Sequence, residues 1–263
     1  MSRTIDYDVI REIIRVAKAM EAAQLVNTYE GNLSIKQDGL LYITPARTRK
    51  STLTEDLICV IDEEGNQIHG TKKSSSETIM HHNSYELRPD INAVIHCHSP
   101  FLTAHAMCHV PIDQKCHPEI LFHFKDIPVA PYGQPGTREI LDQAAPYLKN
   151  RNLVLLGNHG VLAVGSTLEK AFQRVEAAEK FAKEICIAKL LGPPSPRSTG
   201  SWPGTSRSDP ASKQSGRPGG SGRPAIPLCL NWVSFSHPFH HTYPQLYGKI
   251  EVRICLYPQR TCW

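Results

Sequence analysis

Two histidines stand two residues apart in His96-Cys97-His98, at the end of a run from Ala93 to His98 that reads as a buried strand. Alternate strand residues point to the same face, so both imidazoles can address one metal ion. A zinc site with an open coordination position commonly has three protein ligands, so the pair needs a third His, Cys, Asp or Glu from elsewhere. Without that third ligand, such a pair is equally well a surface or core feature with no metal. His159 is the natural candidate. It stands in Gly157-Asn158-His159-Gly160 between two apolar runs, where a tight hairpin connection lifts one side chain clear of the sheet. The alternative is an ordinary turn histidine. The remaining histidines, among them His81, His82, His105, His109 and His123, have no matching arrangement and are assigned structural roles.

Glu77 has two readings. Ser74 and Glu77 have capping-box spacing, which makes the carboxylate a local helix cap. A carboxylate side chain is also able to move a proton as a general acid/base. Ser75 and Ser76 put small hydroxyls and free backbone N–H groups at the start of that helix, a place that favours phosphate through both dipole and donors. Gly31-Asn32, in a strand-like context, can bring backbone donors close to the same anion, although most such pairs are turns.

The elements that must hold these residues follow from periodicity. Val9, Ile10, Ile13, Ile14, Ala17 and Met20 predict an amphipathic helix over roughly residues 5–24. Leu33 to Lys36, Leu40 to Thr44 and Leu57 to Ile61 read as strands, with turns at Asp38-Gly39 and Glu64-Gly65. A helix from the Ser74 box runs to about Leu87, ahead of Pro89, and another starts directly after His98 at Ser99-Pro100. Leu153 to Leu156 and Val161 to Val164 flank the His159 turn. Ser166 and Glu169 repeat the capping-box spacing ahead of a long final helix through Ile185. Hairpin-linked strands mixed with several helices imply a layered α/β domain whose central sheet is largely antiparallel and flanked by helices.

Composition sets the limits of that domain. From residue 193 to residue 227, Pro, Gly and Ser make up 22 of 35 positions, a mixture that cannot bury enough apolar surface to offset the entropy of ordering. The expected organisation is therefore a folded domain at 1–192 and a disordered, unpatterned tail at 193–263. The tail holds eight Lys/Arg against two Asp/Glu, so the formal +4 of the chain is a property of the tail, and the body is mildly acidic. That balance gives no support to a nucleic-acid partner for the folded part. No apolar run approaches the roughly 18 residues of a membrane span. Asp6, Asp8 and Arg11 interrupt the N-terminal segment, so it lacks the apolar core of a signal peptide. Eight cysteines without paired spacing fit reduced thiols and a cytoplasmic setting.

Gly31-Asn32-Leu33-Ser34, Ser75-Ser76-Glu77, His96-Cys97-His98 and Asn158-His159-Gly160 together resemble the class II aldolase/adducin family in order and spacing. The resemblance runs from near the N-terminus to about residue 191. Pro131-Tyr132-Gly133 and Gly136-Thr137-Arg138-Glu139 extend it. It implies zinc bound by His96, His98 and His159, proton transfer by Glu77, and a substrate phosphate near Gly31, Asn32, Ser75 and Ser76. A glutamate at position 77 is similar to the L-fuculose-phosphate-type aldolases of the family, whereas the pentulose-phosphate 4-epimerases carry aspartate there. The resemblance thus implies cleavage of a ketose 1-phosphate to dihydroxyacetone phosphate and an aldehyde, by a homotetramer. A 4-epimerase, a sugar-phosphate dehydratase and a non-catalytic adducin-like binding module are the alternatives on the same scaffold.

The chain also departs from the family pattern at three places. Ala46-Arg47 replaces the small residue and glycine expected after Thr44-Pro45. Residues 108–126 contain no tyrosine to match the one a neighbouring subunit contributes in the resembling aldolases, and His117 is the nearest proton donor there. The tail does not match the family's C-terminal segment.

Overall fold

The computed structural model describes residues 4–113 and 118–192. The tail at 193–263 and His117 lie outside the described residues. Tyr7–Ala22 form helix α1, capped by Asp6, whose side chain accepts from the Asp8 N–H. Strands β1 (Asn32–Gln37) and β2 (Leu40–Ile43) form a hairpin. Its turn residues Asp38 and Gly39 both have left-handed φ, at 51° and 77°, which matches the twist of the strands they join. β3 (Cys59–Ile61) and β4 (Gln67–His69) add a second hairpin. Helix α2 (Thr78–Leu87), strand β5 (Ala93–Cys97) and helix α3 (Pro100–Met107) follow. After α4 (Pro118–His123), β6 (Val129–Ala130) and α5 (Glu139–Leu148), the hairpin of β7 (Leu153–Leu156) and β8 (Gly160–Gly165) leads into the long helix α6 (Leu168–Leu191).

These strands form one sheet in the order β4-β3-β2-β1-β5-β8-β7-β6, and every neighbouring pair is antiparallel except β6 and β7. The sheet has a helical layer on each side, as expected from the sequence. On one face Leu33, Ile35, Ala93, Ile95, Cys97 and Ala163 pack with the apolar sides of α1, α3, α4 and α6. On the other, Val94, Val154, Leu162 and Val164 pack with Met80 and Tyr85 of α2 and Ile140, Leu141 and Ala144 of α5. Strand alternation fixes which polar side chains enter the second layer: Asn32, Ser34 and His96 share parity with Val94 and so face α2.

Two expected helix starts need correction. α2 begins at Thr78, with Glu77 itself at the capping position and no side-chain cap hydrogen bond, so the Ser74–Glu77 capping box does not form. α6 is capped by Thr167, not Ser166, because the Thr167 hydroxyl accepts from the Lys170 N–H. The start expected after His98 is present, with Ser99 at the cap and Pro100 as the first helical residue. A carboxylate from elsewhere completes it: Glu179 of α6 accepts from the N–H groups of both Phe101 and Leu102. Among the described residues, Cys59, Cys97, Cys108 and Cys186 are free thiols. No helix among the described residues is long and apolar enough to cross a membrane.

Candidate active site

The end of β5 and the β7–β8 turn deliver the three histidines to one point. His96 sits on β5 directly opposite Asn32 of β1 and Leu162 of β8, and it is fully buried. Its Nδ1–H donates to the Val161 carbonyl at 2.8 Å, which leaves Nε2 as a lone-pair donor aimed out of the sheet. His98 follows one residue beyond the strand end, and its Nε2 lies 2.9 Å from Nε2 of His96. His159 rises from the β7–β8 turn, where Asn158 takes a left-handed φ of 56°. Gly160 permits the approach, since a Cβ there would stand 2.6 Å from the His98 ring. The three ring centroids lie 4.6 to 4.8 Å apart, and one nitrogen from each ring falls within 4.8 Å of the others.

Glu77 closes this cluster. Its Oε2 is 3.3 Å from Nε2 of His96, and its Oε1 is 3.4 Å from Nε2 of His159. Burial, then the neighbouring histidine, pushes His96 down to about 3, and the same two causes bring His159 to about 4. Both rings are therefore neutral at pH 7 and present lone pairs. Oε1 of Glu77 and Nδ1 of His159 are buried without a hydrogen-bond partner. Three imidazoles and a carboxylate that converge with unused acceptor capacity form a donor set suited to a divalent cation, and histidine-rich sites suit zinc and its transition-metal neighbours.

The four residues expected around a phosphate are also brought together. Gly31, Asn32, Ser75 and Ser76 line one open cleft of about 590 Å³, and Glu77 and His98 line it as well. Arg47 and Lys73 line the same cleft, so the departure at Ala46-Arg47 adds a cation to its wall. Gly31 adopts φ +76°, and a Cβ there would lie 2.5 Å from the Val26 side chain, which explains glycine at that position. Ser75 and Ser76 occupy the turn just before α2, and the Ser75 hydroxyl accepts from the Glu77 N–H.

Residues 11–186 match the family model of the class II aldolase and adducin N-terminal domain. The chain belongs to this family. The L-fuculose phosphate aldolase of Methanococcus vannielii is 34% identical over 177 residues, which cover 66% of this chain and 93% of that one. The 5-methylthioribulose-1-phosphate/5-deoxyribulose-1-phosphate aldolase of Rhodospirillum rubrum is 33% identical over 172 residues, covering 65% and 77% respectively. A solved structure of an L-fuculose 1-phosphate aldolase matches with a TM-score of 0.69 at 36% identity, covering 74% of this chain and 92% of that one. The protein is an enzyme of the aldehyde-lyase class.

In this class II aldolase three site neighbours escaped sequence reasoning. His81, assigned a structural role from the sequence, is fully buried and bonds the Asn32 amide oxygen through Nε2 and the Ser34 hydroxyl through Nδ1. The Ser34 hydroxyl also meets the Tyr85 hydroxyl at 2.7 Å. A signal existed in the spacing. Glu77, His81 and Tyr85 recur every fourth residue along α2, and Asn32 and Ser34 recur every second residue along β1. One helical step of four advances about 6 Å and one strand step of two about 6.6 Å, so the two polar rows stay in register.

The segment that follows the cleft residue Arg47 carries a cost in stability. Lys50, close behind Arg47 in sequence, is 2% exposed, and its ammonium donates to the Thr48 carbonyl at 3.2 Å. Burial brings its ammonium down from 10.5 to about 8. The folded state thus binds this proton less tightly than the unfolded chain, so stability should rise with pH between about 8 and 10.5. Below that window the buried charge opposes folding by up to about 3 kcal/mol. Lys50→Met should therefore raise the urea midpoint at pH 7 and flatten the rise above pH 8, both readable by chemical denaturation at a series of pH values.

Proposed function

We propose that this enzyme cleaves a ketose 1-phosphate of the L-fuculose 1-phosphate type to dihydroxyacetone phosphate and an aldehyde. His96, His98 and His159 hold a zinc ion, Glu77 is the catalytic acid/base, and Gly31, Asn32, Ser75 and Ser76 receive the phosphate. The observation that carries this reading is the convergence of Glu77 with the three histidines beside a cleft that Glu77 and His98 help to line. A divalent ion bound there supplies Lewis acidity toward the carbonyl and hydroxyl oxygens of the ketose. The chain's own residues account for the rest. A phosphate dianion in the cleft is matched by Arg47, Lys73 and the turn before α2, and Glu77 lines the same cleft, within reach of the sugar chain. As the C3–C4 bond breaks, the C4 hydroxyl gives its proton to water, the O–H electron pair becomes the C=O bond of the departing aldehyde, and the C3–C4 pair stays with C3 of the dihydroxyacetone phosphate fragment. Glu77, when protonated, delivers a proton to C3, and in the direction of synthesis its carboxylate takes that proton back.

Similarity to aldolases named for L-fuculose phosphate and for 5-deoxyribulose 1-phosphate leaves the aldehyde portion to experiment. A homotetramer, as the resemblance implies, is part of this reading. Apolar side chains left exposed, Phe122 at 85% and Met107 at 61%, are surface that such an assembly would cover. The deciding assay couples dihydroxyacetone phosphate release to its reduction, with L-fuculose 1-phosphate, 5-deoxyribulose 1-phosphate and 5-methylthioribulose 1-phosphate as substrates. Release from at least one is expected. Interconversion of pentulose 5-phosphates without cleavage would replace this reading by an epimerase.

A further inference from the structure

Glu77 bonds one side chain firmly, Asn32, whose Nδ2–H donates to Oε2 at 2.8 Å. An amide serves a carboxylate in only one of its two orientations, because the flipped form would turn its oxygen toward the negative charge. Orientation of the Asn32 amide therefore matters to Glu77, and something must set it.

That setting comes from the α2–β1 row. With Nδ2 turned to Glu77, the Asn32 Oδ1 faces Nε2 of His81, and an amide oxygen only accepts, so Nε2 must carry the hydrogen. Burial, then the nearby His96, lowers the His81 imidazole to about 3, so the ring is neutral and its Nδ1 is an acceptor. Ser34 lies 2.7 Å from that Nδ1 and must donate to it. The Ser34 oxygen then accepts from Tyr85, whose hydroxyl keeps its proton because burial pushes the phenol up. Every donor in the row points the same way, from Tyr85 through Ser34, His81 and Asn32 to Glu77.

We propose that His81 is a positioning residue for the catalytic carboxylate: it locks the Asn32 amide in the orientation that donates to Glu77. The inference rests on the reading of Glu77 as acid/base. It also gives Asn32 a second duty besides lining the phosphate cleft. In the metal-loaded full-length enzyme, His81→Leu should lower kcat on the order of ten- to a hundredfold, as loss of an outer-shell partner does. KM and metal content should change little. His81→Gln places an amide N–H where Nε2 stood and should recover most of the lost kcat. A residue that merely fills space would give no such recovery. Neutron diffraction of the parent should show deuterium on Nε2 of His81, none on Nδ1, and the Asn32 amide deuterium facing Glu77.

Full kcat in His81→Leu, His81→Gln no better than His81→Leu, or deuterium on Nδ1 with Asn32 turned around would each overturn the proposal. Should His81→Leu fail to fold, His81→Gln and the neutron map still decide. Glu77→Gln in the same assay separates the two levels. If that variant is active, the acid/base reading itself falls. If it is inactive while both His81 variants keep full kcat, only the positioning role falls.

Discussion

Glu77→Gln is expected to lower turnover of the ketose 1-phosphate by roughly 10²- to 10⁴-fold, the range attached to loss of a general acid/base, with fold and metal content kept. Glutamine is nearly isosteric, and the structure removes the main alternative role for the carboxylate. Glu77 makes no side-chain cap to α2, so the substitution deletes no helix-terminal hydrogen bond. What changes is the group that stands 3.3 and 3.4 Å from two of the histidines and lines the cleft. A neutral amide can still bond Asn32 but cannot exchange a proton with carbon. Single-turnover kinetics and metal analysis on the same preparation check this. Near-parental turnover, at equal metal content, would assign Glu77 a structural role only.

Much of this arrangement was legible before any coordinates, and the misses share a cause. The buried strand at Ala93–Cys97, the His159 turn and the long helix α6 were readable because strong local periodicity and turn chemistry agree with the tertiary structure there. The capping box at Ser74 was misread because the same Ser-x-x-Glu pattern serves two purposes, and tertiary partners at Asn32, His96 and His159 outcompete the local backbone for the carboxylate. Strand β4 was missed because Gln67, Ile68 and His69 form a short, largely exposed edge without apolar alternation. Helix α5 carries Pro146 in its last turn, which argues against a helix when read alone. His81 was invisible for a different reason. A buried polar side chain is specified by its partners, and Ser34 and Asn32 lie more than forty residues away along the chain.

With His96, His98 and His159 as the proposed ligands, removing the metal should abolish turnover and lower thermal stability together, because the ion would tie the end of β5 to the β7–β8 turn. His96 comes from β5, His98 from the segment leading into α3, and His159 from the β7–β8 turn. An ion bound by the native state alone stabilises it by about 2.7 kcal/mol at a free concentration a hundred times its Kd. For a domain of this size that corresponds to a Tm rise of roughly 5–10 °C. Chelator-treated protein should therefore melt lower and be inactive, and zinc should restore both properties at one equivalent per chain. His96→Ala should lose the metal-dependent part of Tm along with activity, since it removes a proposed ligand together with the Val161 hydrogen bond that holds its ring. If chelation leaves Tm and turnover unchanged, or if His96→Ala binds zinc as tightly as the parent, then the convergent histidines do not form the metal centre, and the aldolase reading loses its source of carbonyl polarisation.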